Sequence, residues 1–267
     1  MQCLTEEMRS EWVEKGYIHL KGVLDSDEVA GYLAAADAVI ADYRAANPEV
    51  REQDAFNIVQ AIERSRAFDS LLDHPQTFGI IVDLLGPYLQ VMGTVLYVRY
   101  RSGEMPFAWH TDGGPALRNF RLEPDSQPLN FKIQYFLTDV FAENRGNFCC
   151  VPGSHRRDFP EGGLAEWPKG GIQLTAAAGD AVIFNYGLWH AVAPNASAAV
   201  RRSVTFRYGQ LWTRPWDYVR APAEVLARLT PRQRRLMGDI GPDGAPGAYY
   251  EPQDQRDIIL AGIADPA

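Results

Sequence analysis

Between residues 89 and 210 the chain is a succession of short segments that suit β-strands and are bounded by turn residues. These segments lie at residues 91–100, 129–137, 148–151, 174–178, 181–186 and 201–209, with 174–178 and 181–186 forming a hairpin-like pair. Short strands at regular spacing are typical of an antiparallel sandwich or jelly roll. The spacing therefore predicts a mainly β core.

Helical periodicity precedes and follows this region, so we expect an α+β fold in which helices flank the jelly roll. Helices are predicted at residues 4–15, after Asp25, and at 70–85 with an interruption at His74-Pro75, with a short strand at 17–23 and a helix or loop pair at 57–66. The tail predicts short helices at 222–229 and 231–237 and irregular chain at 239–257. We find no repeat or low-complexity linker. The expectation is one domain over residues 1–267, with a helical part at 1–88, a jelly-roll core at about 89–210 and a tail at 211–267.

Composition excludes several classes of function. The formal net charge of -8 disfavours a nucleic-acid partner, because binding phosphate backbones requires a basic face. No apolar run approaches the ~20 residues that span a bilayer, so no membrane partner is expected. The three cysteines form no metal-binding pattern and suggest reduced thiols, and the acidic N-terminus does not resemble a secretory signal. We expect a cytoplasmic protein, either a monomer or a weak homodimer.

The segment Phe107-Ala-Trp-His-Thr-Asp-Gly-Gly114 carries the first candidate for chemistry. On an extended strand, residues i and i+2 point to the same face, so His110 and Asp112 can reach one metal ion. The pair alone is a weak signal, since a surface turn with a solvated aspartate explains it equally well.

His190 is the candidate for a third ligand. It follows a hydrophobic strand and precedes a Pro-Asn turn, which is a position at the rim of a β-barrel. Two histidines and one carboxylate on one face of a metal leave its other positions open for further ligands and dioxygen. Of the other histidines, His19, His74 and His155 are interpreted as structural.

Arg201 opens the last strand, eleven residues after His190, and Ser203 lies in phase with it. A cavity arginine with a neighbouring hydroxyl suits bidentate binding of a small carboxylate. Arg202 competes for this role, but adjacent strand residues face opposite sides, and the offset from His190 favours Arg201. On the strand at 129–137, the polar side chains of one face either meet solvent or line a wet cavity; they are Asn130, Lys132 and Gln134.

Taken in order, these pieces resemble the phytanoyl-CoA dioxygenase family of Fe(II)/2-oxoglutarate oxygenases over roughly residues 12–209. The matching segments are His110-Thr-Asp112, Leu137-Thr-Asp-Val140 leading into Gly146, Val151-Pro-Gly-Ser-His155, Ala178-Gly-Asp-Ala-Val-Ile-Phe184, and His190 through Pro194-Asn195 to Arg201-Arg-Ser203.

The resemblance implies a double-stranded β-helix in which His110, Asp112 and His190 bind Fe(II). It implies that Arg201, with Ser203, holds the distal carboxylate of the co-substrate 2-oxoglutarate, and that dioxygen is the second co-substrate. Phe107 stands where relatives often carry a polar residue near the co-substrate, so Gln134 or Lys132 is the candidate for that contact.

The resemblance also implies a reaction. The expected enzyme is a dioxygenase that hydroxylates or otherwise oxidises an unactivated C–H bond of a small molecule, such as a secondary metabolite, releasing succinate and CO2. Related halogenases replace the carboxylate ligand with a small residue, so Asp112 favours a hydroxylase over a halogenase. Desaturation, epoxidation and ring formation stay open. The alternatives are a non-oxidative metal-dependent isomerase or lyase of the cupin type, and a β-sandwich binding module.

The sequence does not identify the substrate. Aromatic and arginine side chains expected around the mouth could bind an apolar or aromatic molecule with one anionic group; they are Tyr97, Arg99, Phe107, Trp109, Trp189, Arg207, Trp212 and Trp216. At least half of them are expected to be core or rim packing. The candidate lids are the loops at 113–127 and 156–171 and the tail after Gly209.

Overall fold

The structure is a computed structural model that describes residues 3–51, 55–118, 120, 123, 126–240 and 253–264. The helices are α1 (Glu6–Lys15), α2 (Ser26–Ala46), α3 (Ala61–Arg64), α4 (Phe78–Leu85), α5 (Gly114–Arg118), α6 (Ala223–Arg228), α7 (Pro231–Leu236) and α8 (Gln253–Ala264). The strands are β1 (Tyr17–Leu20), β2 (Phe56–Val59), β3 (Leu89–Arg99), β4 (Phe107–His110), β5 (Asn130–Phe136), β6 (Phe148–Cys150), β7 (Ile172–Gln173), β8 (Ala181–Asn185), β9 (His190–Val192) and β10 (Arg201–Gln210). Short 3₁₀ segments lie at Arg66–Asp73 and Ser154–Arg156.

The described strands form two antiparallel sheets. The major sheet has the order β1-β8-β5-β10-β3-β2, and the minor sheet has the order β4-β9-β6-β7. From β3 to β10 the chain passes repeatedly between the sheets, so that strands distant in sequence become neighbours. This is the topology of a jelly roll, and the predicted fold class is confirmed.

The two faces of the major sheet have different neighbours. On β10, Val204, Phe206 and Tyr208 are fully buried in the largest apolar cluster, which also contains side chains of α2 and α4. Fully burying one such side chain is worth about 1.5–3 kcal/mol, so this face anchors the sheet to its helices. The alternate residues of β10, including Arg201, point instead toward the minor sheet.

The ends of the N-terminal helices are capped by side chains and a glycine. Thr5 accepts a hydrogen bond from the backbone N–H of Met8, and α1 ends at Gly16, whose φ is +79°. Asp25 and Glu28 form a reciprocal capping box at the start of α2. No helix within the described ranges is both long and apolar enough to cross a bilayer.

Several predictions about elements are wrong. Residues 57–59, predicted as part of a helix or loop pair, belong to strand β2 at the edge of the major sheet, where pairing with β3 decides their conformation. The predicted hairpin of 174–178 with 181–186 does not form. The N–H of Leu174 donates to the carbonyl of Phe148 and Ala176 pairs with Val140, whereas β8 pairs with β1 and β5 in the major sheet.

Part of the tail also departs from the prediction. Residues 253–257, expected to be irregular, belong to helix α8. Gln255 Nε2 in α8 donates to the carbonyl of Pro87 at 2.7 Å, a tertiary contact that no local pattern encodes. The rest of the predicted irregular stretch between 241 and 252, and five positions of the predicted loop 113–127, lie outside the described residues.

Candidate metal centre

His110 and His190 lie directly opposite each other on the paired strands β4 and β9. Their ring centroids are 4.2 Å apart. His110 Nδ1 is 2.8 Å from the carbonyl of Ala108, and His190 Nδ1 is 2.8 Å from the carbonyl of Leu188. Because a carbonyl only accepts hydrogen bonds, each Nδ1 carries the proton and each Nε2 presents a lone pair.

Asp112 reaches the same point from a turn. The sequence places it on a strand with His110, but β4 ends at His110. The N–H of Asp112 donates to the carbonyl of Tyr186 at 2.9 Å, and Gly113 follows with a φ of +95°. Asp112 Oδ1 lies 3.9 Å from His190 Nε2, and ligand atoms of the three side chains all lie within 4.8 Å of one another. The predicted convergence occurs, although by a different local conformation.

Two cations hold one oxygen of this carboxylate. Lys132 Nζ lies 2.6 Å and Arg207 Nη2 lies 2.8 Å from Asp112 Oδ1. Asp112 Oδ2 is buried and has no hydrogen-bond partner among the described residues. Burial opposes ionisation of Asp112, but the two cations outweigh it and hold the pKa of the carboxyl well below its usual range.

The histidines are neutral at neutral pH. Burial, followed by the neighbouring imidazole of His110, lowers the pKa of His190 to about 3. Burial also lowers the pKa of His110. Two neutral imidazoles and one carboxylate are in the protonation states that metal binding requires.

The donor set fits Fe(II). Two imidazole nitrogens and one carboxylate oxygen lie within 4.8 Å of one another, as in 2-His-1-carboxylate sites that keep positions open for other ligands, and Asp112 Oδ2 has no hydrogen-bond partner among the described residues. Metal–ligand distances in protein sites of this kind are about 2.0–2.2 Å, so small side-chain movements bring the three atoms onto one ion. Within the described ranges, His110, Asp112 and His190 form the group of side chains placed to hold a metal ion.

A cavity of about 420 Å3 lies between the two sheets next to this triad. Its wall is mixed, with aliphatic and aromatic side chains from both sheets and charged groups at intervals. The lining residues used below are Gly93, Val95, Tyr97, Phe107, His110, Asp112, Lys132, Gln134, Phe148, Phe184, His190, Val192, Arg201, Thr205, Arg207, Trp216 and Asp217. A mixed, partly enclosed cavity of this size is typical of small-molecule sites.

Arg201 is a buried cation in the wall of this cavity, with 2 % of its surface exposed. No carboxylate of the described residues forms an ion pair with it, and its guanidinium lies 5.6 Å from the ring centroid of Phe136. Burial and the neighbouring Arg99 lower the pKa of Arg201 to about 9. A buried, unpaired cation is costly, so this position calls for an anionic ligand. Arg202 faces the other way and pairs with Asp37 at 2.7 Å.

Polar side chains near Arg201 also lack hydrogen-bond partners among the described residues. Ser203 Oγ, Thr205 Oγ1 and Gln134 Nε2 are buried without a hydrogen-bond partner among the described residues. On the polar face of β5, Lys132 and Gln134 line the cavity rather than meeting solvent, whereas Asn130 is buried outside the cavity lining, as is Ser203 on β10. Lys132, a candidate for the co-substrate contact, is instead engaged by Asp112. Thr205 was not predicted, although its i+2 phase after Ser203 would have revealed it.

Of the eight predicted substrate residues, four line the cavity and four do not. Tyr97, Phe107, Arg207 and Trp216 line the cavity. Arg99 is buried beside Arg201, where its guanidinium donates to the carbonyl of Phe56 and the side chain of Asn57.

The remaining tryptophans lie outside the cavity, although Trp109 and Trp212 were named as candidates for substrate contact and at least half of the eight candidates were expected to be core or rim packing. Trp109 and Trp189 pack in a separate apolar cluster on the far side of the minor sheet. Trp109 alternates with His110 along β4, so the two side chains face opposite sides of the sheet. Trp212 lies in the segment after β10 with 64 % of its surface exposed.

His19 and His74 form contacts away from the metal centre, whereas Asp217 is a cavity residue that was not predicted from the sequence. His19 Nε2 lies 3.0 Å from Asp180, and His74 Nε2 lies 3.0 Å from Glu28, so neither joins the triad. Asp217 lines the cavity but was not predicted, because the irregular segment after β10 gives no periodic signal that would place it there.

Comparison with known proteins agrees with this geometry. The sequence model of the phytanoyl-CoA dioxygenase (PhyH) family matches residues 12–203. The protein Mb1539 of Mycobacterium bovis is 29% identical over 125 residues, which are 45% of this chain and 45% of that protein, so the chain spans less than half the length of this relative. A probable alpha-ketoglutarate-dependent hypophosphite dioxygenase of Stutzerimonas stutzeri is 23% identical over 230 residues, covering 76% of this chain and 77% of that protein.

Among solved structures, the epimerase SnoN in complex with Fe3+, alpha-ketoglutarate and nogalamycin RO superposes with a TM-score of 0.62. It is 22% identical, and the match covers 92% of this chain and 93% of that one. The predictions of iron and 2-oxoglutarate as cofactors are confirmed at the level of these relatives. Because the family model matches most of the chain and the fold is the one expected, the chain belongs to the phytanoyl-CoA dioxygenase family.

Proposed function

We propose that this chain is an Fe(II)- and 2-oxoglutarate-dependent oxygenase that hydroxylates an unactivated C–H bond of a small molecule and releases succinate and CO2. The observation that carries the proposal is the buried cation of Arg201 in the wall of the cavity that contains the His110, Asp112 and His190 triad. A metal site explains the triad, but only an anionic ligand explains the guanidinium beside it.

The chain's own residues bind and orient the reactants. His110, Asp112 and His190 would hold iron, which supplies the activation of dioxygen when it is bound. Arg201 binds the distal carboxylate of 2-oxoglutarate as a bidentate pair, and Ser203 and Gln134 offer further hydrogen bonds. The apolar walls, among them Phe148 and Phe184, exclude water from the reacting groups.

Hydroxylation is favoured by the presence of Asp112, since the carboxylate occupies the position that a halide would need. SnoN is an epimerase, so a protein of similar fold carries out a different reaction. A non-oxidative isomerase or lyase is the competing function. Such an enzyme would use the triad but has no need of Arg201.

Two of the loops proposed as lids meet at a second cavity of about 270 Å3, which shares Asp112 with the first. Leu117 and Phe120 contribute from one side, and Arg157 and Phe159 from the other. We infer that these loops cover the site when substrate binds. We also infer one catalytic domain over residues 1–267, a cytoplasmic location, a monomer or weak homodimer, and neither nucleic acid nor membrane as partner.

The test is an assay of succinate release coupled to oxygen consumption, with Fe(II) and 2-oxoglutarate each omitted in turn. Arg201→Gln and Arg202→Gln form a matched pair, since both remove a guanidinium from β10 but only Arg201 faces the cavity. We expect Arg201→Gln to raise the KM for 2-oxoglutarate by about 100-fold, the value of a charge-assisted bidentate pair, and Arg202→Gln to leave it unchanged. Equal KM values in the two variants, or turnover independent of 2-oxoglutarate, would contradict the proposal.

A further inference from the structure

We propose that the cavity contains a subsite for hydrogen-bond donors of the substrate, called the donor subsite and formed by Asp217, Trp216 and Arg207. There the carboxylate of Asp217 accepts a hydrogen bond from a hydroxyl group of a neutral, ring-containing substrate. This inference rests on the proposed function and adds a substrate class to it. It starts from the chain beyond β10, which returns to the edge of the cavity.

The carboxylate of Asp217 is fixed in place by the backbone. Its Oδ2 accepts hydrogen bonds from the N–H groups of Thr94 at 2.9 Å and Gln60 at 3.2 Å. The side chain of Gln60 also donates to the backbone carbonyl of Asp217 at 2.7 Å. These bonds hold the segment after β10 against β3 and determine which carboxylate oxygen is left over.

The other oxygen, Asp217 Oδ1, is buried and has no hydrogen-bond partner among the described residues. Gly93 permits this position, because a Cβ there would lie 3.0 Å from Asp217 Oδ1. Burial raises the pKa of Asp217, against the lowering by its backbone hydrogen bonds and by Arg207. A preorganised acceptor without a partner, in the wall of a substrate cavity, selects ligands that carry a donor.

The charge of the cavity decides what kind of donor fits. Its wall carries the cations Lys132, Arg201 and Arg207 against the two carboxylates Asp112 and Asp217. Fe(II) and the dianion of 2-oxoglutarate cancel each other's charge, so the loaded site keeps a positive excess. An ammonium group would be repelled by this excess, whereas a neutral hydroxyl would not.

The surface beside Asp217 includes a flat stack of an indole and a guanidinium. The guanidinium of Arg207 stacks on the indole of Trp216, 4.3 Å from its ring centroid. The mixed wall of the cavity also contains aliphatic and aromatic side chains, among them Val95, Val192, Phe148 and Phe184. Such a surface packs against a planar or alicyclic ring, and Asp217 would then fix the orientation of that ring through its hydroxyl.

The test compares two probes with the same naphthalene ring, 2-naphthol and 2-methoxynaphthalene. In the second, a methyl group replaces the hydroxyl hydrogen and removes the hydrogen-bond donor. Binding is measured by calorimetry on protein loaded with Ni(II) and 2-oxoglutarate, which form a complex without turnover. We expect wild-type protein to bind 2-naphthol about tenfold more tightly, the value of one hydrogen bond to a charged acceptor. Equal affinities, or a preference for the methyl ether, would overturn the subsite.

Asp217→Asn gives a second, opposite expectation. The N–H groups of Thr94 and Gln60 require an oxygen at the Oδ2 position, so the amide NH2 of asparagine must point into the cavity as a donor. The preference should therefore shift toward 2-methoxynaphthalene, while Asp42→Asn, at an exposed position outside this cavity, keeps the wild-type preference. An unchanged preference in a folded Asp217→Asn variant would contradict the assignment. If that variant fails to fold, the wild-type comparison decides alone.

Binding of 2-oxoglutarate to the wild-type protein with Ni(II) is measured first. Its absence contradicts the proposed function. Its presence together with equal probe affinities contradicts only the donor subsite.

Discussion

Arg207 reaches across the cavity to Asp112, and its Nη2 lies 2.8 Å from Asp112 Oδ1. Lys132 contacts the same oxygen from the neighbouring strand at 2.6 Å. The carboxylate is thereby oriented so that Oδ2 is left for a metal ion, and part of its negative charge is already compensated. Lys132 and Arg207 position the Asp112 carboxylate, but their positive charges also repel the metal ion that Asp112 would bind.

This opposition gives a prediction for metal affinity. Lys132→Met removes one positive charge from the vicinity of the ion, and the lost repulsion exceeds the value of orienting Asp112. We expect the Kd for Co(II), measured by the visible absorption of the bound ion, to fall by about tenfold. Lys169→Met, at an exposed loop position, is the matched control. Weaker Co(II) binding in Lys132→Met would show that orientation outweighs repulsion.

The turn after Asp112 gives a second prediction. Gly113 has a φ of +95°, and a Cβ there would lie 2.3 Å from Leu117 Cδ1. Gly113→Ala should therefore shift Asp112, lower the free energy of unfolding by about 1–3 kcal/mol and weaken metal binding. Urea unfolding and Co(II) titration measure the two effects.

Gly114→Ala is the control for this turn. Gly114 has a φ of +54°, which other residues tolerate better, and open space surrounds the position of its Cβ. It should cost about 1 kcal/mol or less in stability and leave the metal affinity close to wild type. Equal losses in the two variants would show that the positive φ, rather than the contact with Leu117, dominates.

A third prediction concerns pH. Burial, followed by the charge of Arg156, lowers the pKa of His155 to about 4 from an ordinary 6.5. The unfolded chain therefore binds a proton at His155 below pH ~6.5, whereas the folded chain binds it only below pH ~4. The protein consequently loses stability as the pH falls through this window.

Between pH 7 and 5 the loss from this group should be about 1 kcal/mol, reduced for its partial exposure to solvent. His155→Gln removes the titrating group. Urea unfolding at the two pH values should show a smaller pH dependence in the variant. A pH dependence identical to wild type would indicate that His155 does not contribute.

The sequence indicated most of the metal centre, because its determinants are local or periodic. Arg201 and Arg202 illustrate this, since strand alternation alone separates an inward from an outward arginine, and the outward one pairs with Asp37. The same rule, applied to β4, would have removed Trp109 from the substrate residues, because it alternates with His110.

What the sequence did not indicate depends on tertiary pairing. Strand β2 exists because β3 offers it an edge, and its four residues carry no distinct pattern of their own. Asp217 reaches the cavity through hydrogen bonds to Thr94 and Gln60, which are distant in sequence. Asp112 converges with the histidines through a glycine turn rather than through the strand geometry that motivated its prediction.

The most direct measurement of the central claim is a crystal structure of the protein soaked with Ni(II) and 2-oxoglutarate. We expect one ion within about 2.2 Å of His110 Nε2, His190 Nε2 and a carboxylate oxygen of Asp112, with the distal carboxylate of 2-oxoglutarate on the guanidinium of Arg201. An ion bound elsewhere, or 2-oxoglutarate bound away from Arg201, would contradict the account.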